Sequence, residues 1–137
     1  MNNVLNIYTD GGSRGNPGPA AVGVVIRDST GKILNSFGQV IGTATNNIAE
    51  YQAVIAALKW LIQNRRSGIQ SINFYLDSQL VVNQLNGLWK LKNPILRQKL
   101  VEVRQLEAEL RLNPLYIYIP RKQNAAADKM VNQALDQ

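Results

Sequence analysis

The chain has 137 residues, 45% hydrophobic and 18% charged, with neither cysteine nor histidine. That is ordinary globular composition at the length of one domain, and it excludes disulfides, thiolate zinc sites and a histidine general base. Fifteen Lys and Arg against nine Asp and Glu leave a net charge of +6, a balance that attracts nucleic acid or anionic membrane.

The N-terminus, MNNVLNIYTD, has no basic n-region, and the longest apolar run, AAVGVVI, is too short to span a bilayer. The expectation is a soluble, cytoplasmic protein without a membrane partner.

In chain order, Val4 to Thr9 alternates as a strand and stops at Asp10-Gly11-Gly12, a turn signal, followed by a Gly- and Pro-rich loop, GGSRGNPGP. Ala20 to Arg27 reads as a buried strand. Asp28-Ser29-Thr30-Gly31 connects it to a third strand from Lys32 to about Ile41. A first helix starts near the capping residues Thr45-Asn46-Asn47 and ends by about Asn64. Ile72 to Leu76 is the next strand, and a helix opening at Asp77-Ser78 runs to about Asn86-Gly87. Pro94 opens a long amphipathic helix to about Leu112. Leu115 to Ile119 is a short strand, and Gln123 to the end is the last helix. The order βββαβααβα predicts one α/β domain over residues 1–137. Its five-stranded mixed sheet has three antiparallel and two parallel strands, flanked by helices.

Four of the scarce acids occupy telling positions. Asp10 and Asp77 end strands in the parallel patterns Tyr8-Thr9-Asp10 and Tyr75-Leu76-Asp77. If those strands are parallel neighbours, both aspartates lie at carboxyl ends, where open α/β sheets place ligands. Glu50 falls within the apolar arc of the first helix, near Val54, Ala57 and Leu61, and Asp128 shares a face with Val131 and Leu135. A sheet-facing carboxylate is costly unless paired or metal-bound. At ~5 Å and an effective dielectric of ~20, each close pair of carboxylates costs about 3 kcal/mol, so a cluster needs protons or cations. Oxygen donors without histidine or cysteine suit Mg²⁺, with Mn²⁺ as its substitute, and two such ions clamp a phosphodiester undergoing hydrolysis.

Taken singly, each acid has a plainer reading. Asp10 before two glycines forms turns, Asp77 before Ser78 caps a helix, Glu50 pairs with a base, and Asp128 accompanies Lys129. The lysines and arginines Lys90, Lys92, Arg97 and Lys99 crowd one segment beside Trp89, a strip suited to phosphate and ring contact.

YTDGGSRGNPGPAAVGVVI, TNNIAEYQAVIAAL, YLDSQLVVNQL and IPRKQNAAAD, in this order and spacing, resemble type 1 ribonuclease H, essentially from Val4 to the C-terminus. The resemblance implies a ribonuclease H-like fold and endonucleolytic cleavage of the RNA strand of RNA–DNA hybrids with two Mg²⁺, leaving 5′-phosphate and 3′-hydroxyl ends. It places the four catalytic, metal-holding acids on Asp10, Glu50, Asp77 and Asp128. It also implies minor-groove contacts from Asn16, Asn46 and Asn47, and close backbone approach at Gly11 and Gly12. Thr45 and Asn93 match phosphate contacts, and Trp89 the aromatic of the DNA channel. The plainer alternatives are that Asn46-Asn47 only cap a helix and that Trp89 is core.

The sequence departs from better-known members in three ways. Pro120 to Ala127 is short and lacks the loop histidine, the basic handle is reduced to GLWKLKN, and Thr43-Ala44 stands where some carry an arginine. It is closer to the compact, handle-less archaeal and bacterial members, some of which also act on double-stranded RNA. No protein partner is implied, so the expectation is a monomer. Two rival readings are a non-catalytic duplex-binding module and an integrase-like fold member acting on DNA.

Overall fold

Strands form where β-rich residues alternate and pair, and the computed structural model, which describes residues 3–137, shows five of them. β1 (Val4–Ser13), β2 (Gly18–Asp28) and β3 (Ile33–Ala44) make an antiparallel meander. After α1 (Asn46–Gln63), the chain enters β4 (Ser71–Leu76) parallel to β1. It then passes through α2 (Gln79–Leu85) and α3 (Pro94–Leu110) to β5 (Leu115–Tyr118), parallel to β4. A 3₁₀ turn at Arg121–Asn124 leads into α4 (Ala125–Leu135). The sheet order is β3-β2-β1-β4-β5, the mixed arrangement expected from the element order. No helix among the described residues is long and apolar enough to cross a membrane.

Helices cover both faces of the sheet. On one, Leu5, Ile7, Val24, Ile26 and Phe74 pack against Tyr51, Val54, Ile55 and Leu58 of α1 and against α3, forming the main core. On the other, α4 lies across β1, β2 and β3, with Val131 and Ala134 against Ala21.

This second face depends on two missing methyls. Gly23 and Gly38 are cross-strand partners. A Cβ on Gly23 would collide with the Ala127 carbonyl, and one on Gly38 with the Met130 carbonyl. The backbone of α4 therefore rests directly on the sheet, one residue before Asp128.

Several boundaries differ from the sequence reading. β1 does not stop at Asp10. Gly11, Gly12 and Ser13 pair with Val22, Ala21 and Ala20, so only residues 14–17 are loop. Gly11 stays in the strand because the backbone of Ala49 and Glu50 fills the place of its absent Cβ. The helix after β4 is capped by Ser78, whose Oγ accepts from the Val81 N–H at 3.3 Å. Asp77 therefore lies outside α2 with its carboxylate uncommitted to capping. The last helix begins as a 3₁₀ turn, and β3 starts at Ile33 and runs on to Ala44.

Candidate metal centre and nucleic-acid interface

Tyr8 and Tyr75 are register partners on the parallel strands β1 and β4, with rings stacked at 4.8 Å. Two residues further along each chain come Asp10 and Asp77. Glu50, from the second turn of α1, joins them because Gly11 lets that helix press onto β1. The Gly11 N–H donates to Glu50 Oε1 at 2.7 Å. One carboxylate oxygen from each of Asp10, Glu50 and Asp77 lies within 4.8 Å of the others.

Water is largely excluded here; Asp10 is 7% exposed and Glu50 5%. Burial, and then the charges of Asp77 and Asp128, push the Asp10 carboxyl up from 3.8 to about 7. Glu50 is raised well above the ordinary range, first by burial and then by the adjoining Asp10 carboxylate. Glu50 Oε2 is buried without a hydrogen-bond partner. An orphaned buried carboxylate oxygen among crowded acids calls for a proton or a cation. An all-oxygen donor set fits Mg²⁺ or Mn²⁺.

Asp128 stands outside that tight trio. It lines an open concavity with Asp10, Gly12, Asn46 and Arg121, and its charge is one of the causes raising Asp10. Its Oδ2 accepts from Asn132 Nδ2 at 3.3 Å. Among the described residues neither Asp128 nor Lys129 forms an ion pair, so the reading that joins the two does not hold. Glu50 likewise meets a backbone N–H rather than a base.

A second concavity gathers Asn16, Thr45, Asn46, Asn47 and Asn93. The Asn46 N–H donates to Asn16 Oδ1 at 3.0 Å, and Asn46 Oδ1 accepts from the Ser13 N–H at 3.0 Å. Thr45 caps α1 through the Ile48 N–H at 3.3 Å. Asn93 caps α3 by accepting from Ile95 and Leu96 at 2.9 and 3.1 Å. Capping and mutual bonding thus occupy the side-chain oxygens. The Nδ2 groups of Asn16, Asn46 and Asn93 donate to nothing among the described residues.

Trp89 is 49% exposed beside Leu88, so it is not core, and it lies outside this concavity. Lys90, Lys92 and Arg97 are exposed and form no ion pairs among the described residues. Gly11 and Gly12 line the first concavity with Asp10 and Asp128. Helix α1 fills the space beside Gly11, and Val131 Cγ1 would lie 3.3 Å from a Cβ on Gly12.

Asn124 escaped the sequence reading, although it lies in the IPRKQNAAAD motif. Its Nδ2 donates to the Thr9 carbonyl at 2.9 Å and to Asp77 Oδ2 at 3.2 Å. The signal available was an Asn four residues before Asp128. The roles of Gly23 and Gly38 were also missed, and isolated glycines in strand patterns were their only sign.

The family model described as "Reverse transcriptase-like" matches residues 8–134. The chain is 45% identical over 132 residues to a ribonuclease HI of Halobacterium salinarum, covering 96% of this chain and 64% of that relative's length. Its fold superposes on the crystal structure of RNase H1 from Halobacterium salinarum with a TM-score of 0.89 at 44% identity, covering 97% of this chain and 98% of the other. It also matches LC11-RNase H1, solved in complex with an RNA/DNA hybrid, with a TM-score of 0.91 at 42% identity and 96% of each chain covered. A family match along nearly the whole chain, on a sheet of the same topology, has one consequence: the chain belongs to the type 1 ribonuclease H family.

Proposed function

We propose that this chain hydrolyses the RNA strand of RNA–DNA hybrids endonucleolytically, leaving 5′-phosphate and 3′-hydroxyl ends. The observation that carries the reading is the trio of carboxylate oxygens within 4.8 Å, one of its members holding an orphaned buried oxygen. The hybrid bound to the similar LC11-RNase H1 supports the ligand class.

Asp10, Glu50 and Asp77 would hold one divalent ion, and Asp10 with Asp128 a second. Two bound Mg²⁺, or Mn²⁺ in their place, supply a lowered water pKa and charge compensation at the leaving oxygen. The protein contributes position. β1 and β4 present Asp10 and Asp77 side by side, α1 brings Glu50 through Gly11, and α4 brings Asp128. A side-chain base is not required, which suits a chain without histidine.

The uncommitted amide donors of Asn16 and Asn46, with Asn47 beside them, would meet 2′-hydroxyls and base edges in the wide minor groove. Thr45 and Asn93 would meet phosphate oxygens. The exposed Trp89 with Lys90 and Lys92 would follow the DNA strand. An RNA duplex also presents 2′-hydroxyls, so it is the second substrate of this reading.

The test compares RNA–DNA, RNA–RNA and DNA–DNA duplexes of one sequence, with Mg²⁺ and with EDTA. The expected result is Mg²⁺-dependent cutting of the RNA strand of the hybrid, with the DNA duplex intact. Hybrid binding without cleavage would favour a binding module, and equal cutting of the DNA duplex would favour a DNA nuclease.

A further inference from the structure

Asn124 occupies the N-cap position of α4, where an asparagine side chain ordinarily accepts from the first free N–H groups of the helix. Here it makes no cap hydrogen bond. The side chain turns inward instead and is 1% exposed.

Both its partners, the Thr9 carbonyl and Asp77 Oδ2, are acceptors. The NH₂ group must therefore face them, and its two hydrogens match two acceptors. An aspartate of the same shape could serve neither and would set a further negative charge against Asp77. Asn124 Oδ1 is buried without a partner, so the residue is held there by what its nitrogen does.

The places joined are informative. Thr9 immediately precedes Asp10. Asp77 is the acid that follows β4. Asn124 itself leads into the helix whose first turn carries Asp128. One amide thus ties together three of the four acid-bearing elements. The fourth is tied separately, through Gly11 and Glu50.

We propose that Asn124 is a positioning residue that sets the Asp77 carboxylate relative to Asp10 for divalent-ion binding. The inference rests on the reading that these acids hold such ions. A partner that orients a ligating carboxylate typically matters 10- to 100-fold in metal affinity.

Calorimetric titration of Mn²⁺ into the full chain, free of nucleic acid, tests it on wild type, Asn124→Ala, Asn124→Ser and Asp10→Asn. Circular dichroism melts and hybrid affinity in EDTA are measured beside it. The expected result is Mn²⁺ binding about 10- to 100-fold weaker for Asn124→Ala, with an intermediate loss for Asn124→Ser, which keeps one donor. Hybrid affinity in EDTA stays within about twofold, because the donors of the second concavity are untouched.

If Asn124→Ala gives no cooperative melt, Asn124→Ser is judged by the same criteria; failure of both to fold assigns Asn124 to the fold and overturns the proposal. Mn²⁺ affinity within twofold of wild type in a folded variant overturns it too. So does an equal fall in hybrid affinity, which signals general distortion. Asp10→Asn separates the two levels. If it also binds Mn²⁺ like wild type, the metal-site reading fails; if it alone loses binding, only the role of Asn124 fails.

Discussion

Gly11 donates its backbone N–H to Glu50 Oε1 at 2.7 Å while leaving room, where its side chain would be, for the backbone of Ala49 and Glu50. The same contact docks α1 on β1 and delivers an acid to the site. Gly11→Ala should force the helix away from the strand and destabilise the protein by about 1–3 kcal/mol, the usual range for overpacking a core. Activity should fall more than stability alone explains. Urea unfolding and cleavage assays on the folded fraction check this; wild-type values in both would contradict it.

Asp10→Asn should abolish cleavage while raising the stability of the metal-free protein. Burial and the charges of Asp77 and Asp128 oppose ionisation of Asp10. Deleting that charge should therefore stabilise the EDTA-treated protein by about 1–3 kcal/mol above pH 7. Denaturant unfolding in EDTA, with hybrid binding measured in parallel, reads both effects. Near-wild-type turnover in this variant would refute the assignment.

The raised carboxyls also fix a pH trend. Between 3.8 and about 7 the folded protein keeps a proton on Asp10 that the unfolded chain has released. This contribution to stability is full below pH 3.8 and is lost as pH rises through about 7; Glu50 acts in the same direction. In EDTA, stability should decline across that window. Added Mg²⁺ should restore more of it at pH 8 than at pH 5, because ions bind the ionised, folded site. Melting temperatures at the two pH values, with and without Mg²⁺, give the answer, and an equal Mg²⁺ shift at both would contradict it.

Much of this arrangement was legible in the chain. Tyr8-Thr9-Asp10 and Tyr75-Leu76-Asp77 read as matching strand ends because side chains alternate with a period of two, and the stacked Tyr8–Tyr75 pair has that register. Glu50 read as inward-facing because helical periodicity placed it with Val54, Ala57 and Leu61, all of which are buried. What escaped depends on which backbone meets which. Gly11 looked like a turn, yet it is a strand residue pressed by a helix 39 positions away. Gly23, Gly38 and Asn124 owe their roles to α4 crossing the sheet, a contact no local pattern encodes.

Gly23→Val tests that crossing. A branched side chain there would displace the Ala127 carbonyl and, with it, Asp128. The expected outcome is a destabilised but folded protein, by about 1–3 kcal/mol, with a cleavage defect larger than the Tm shift accounts for. Unchanged cleavage in a folded variant would show that the seat of α4 does not govern Asp128.

The most direct measurement is an anomalous difference map from crystals grown with Mn²⁺ and an RNA–DNA hybrid, using Asp10→Asn as the control. The account predicts one peak among the oxygens of Asp10, Glu50 and Asp77 and a second beside Asp128, with both lost in the variant. Hybrid seated over these acids with no Mn²⁺ between them would contradict it.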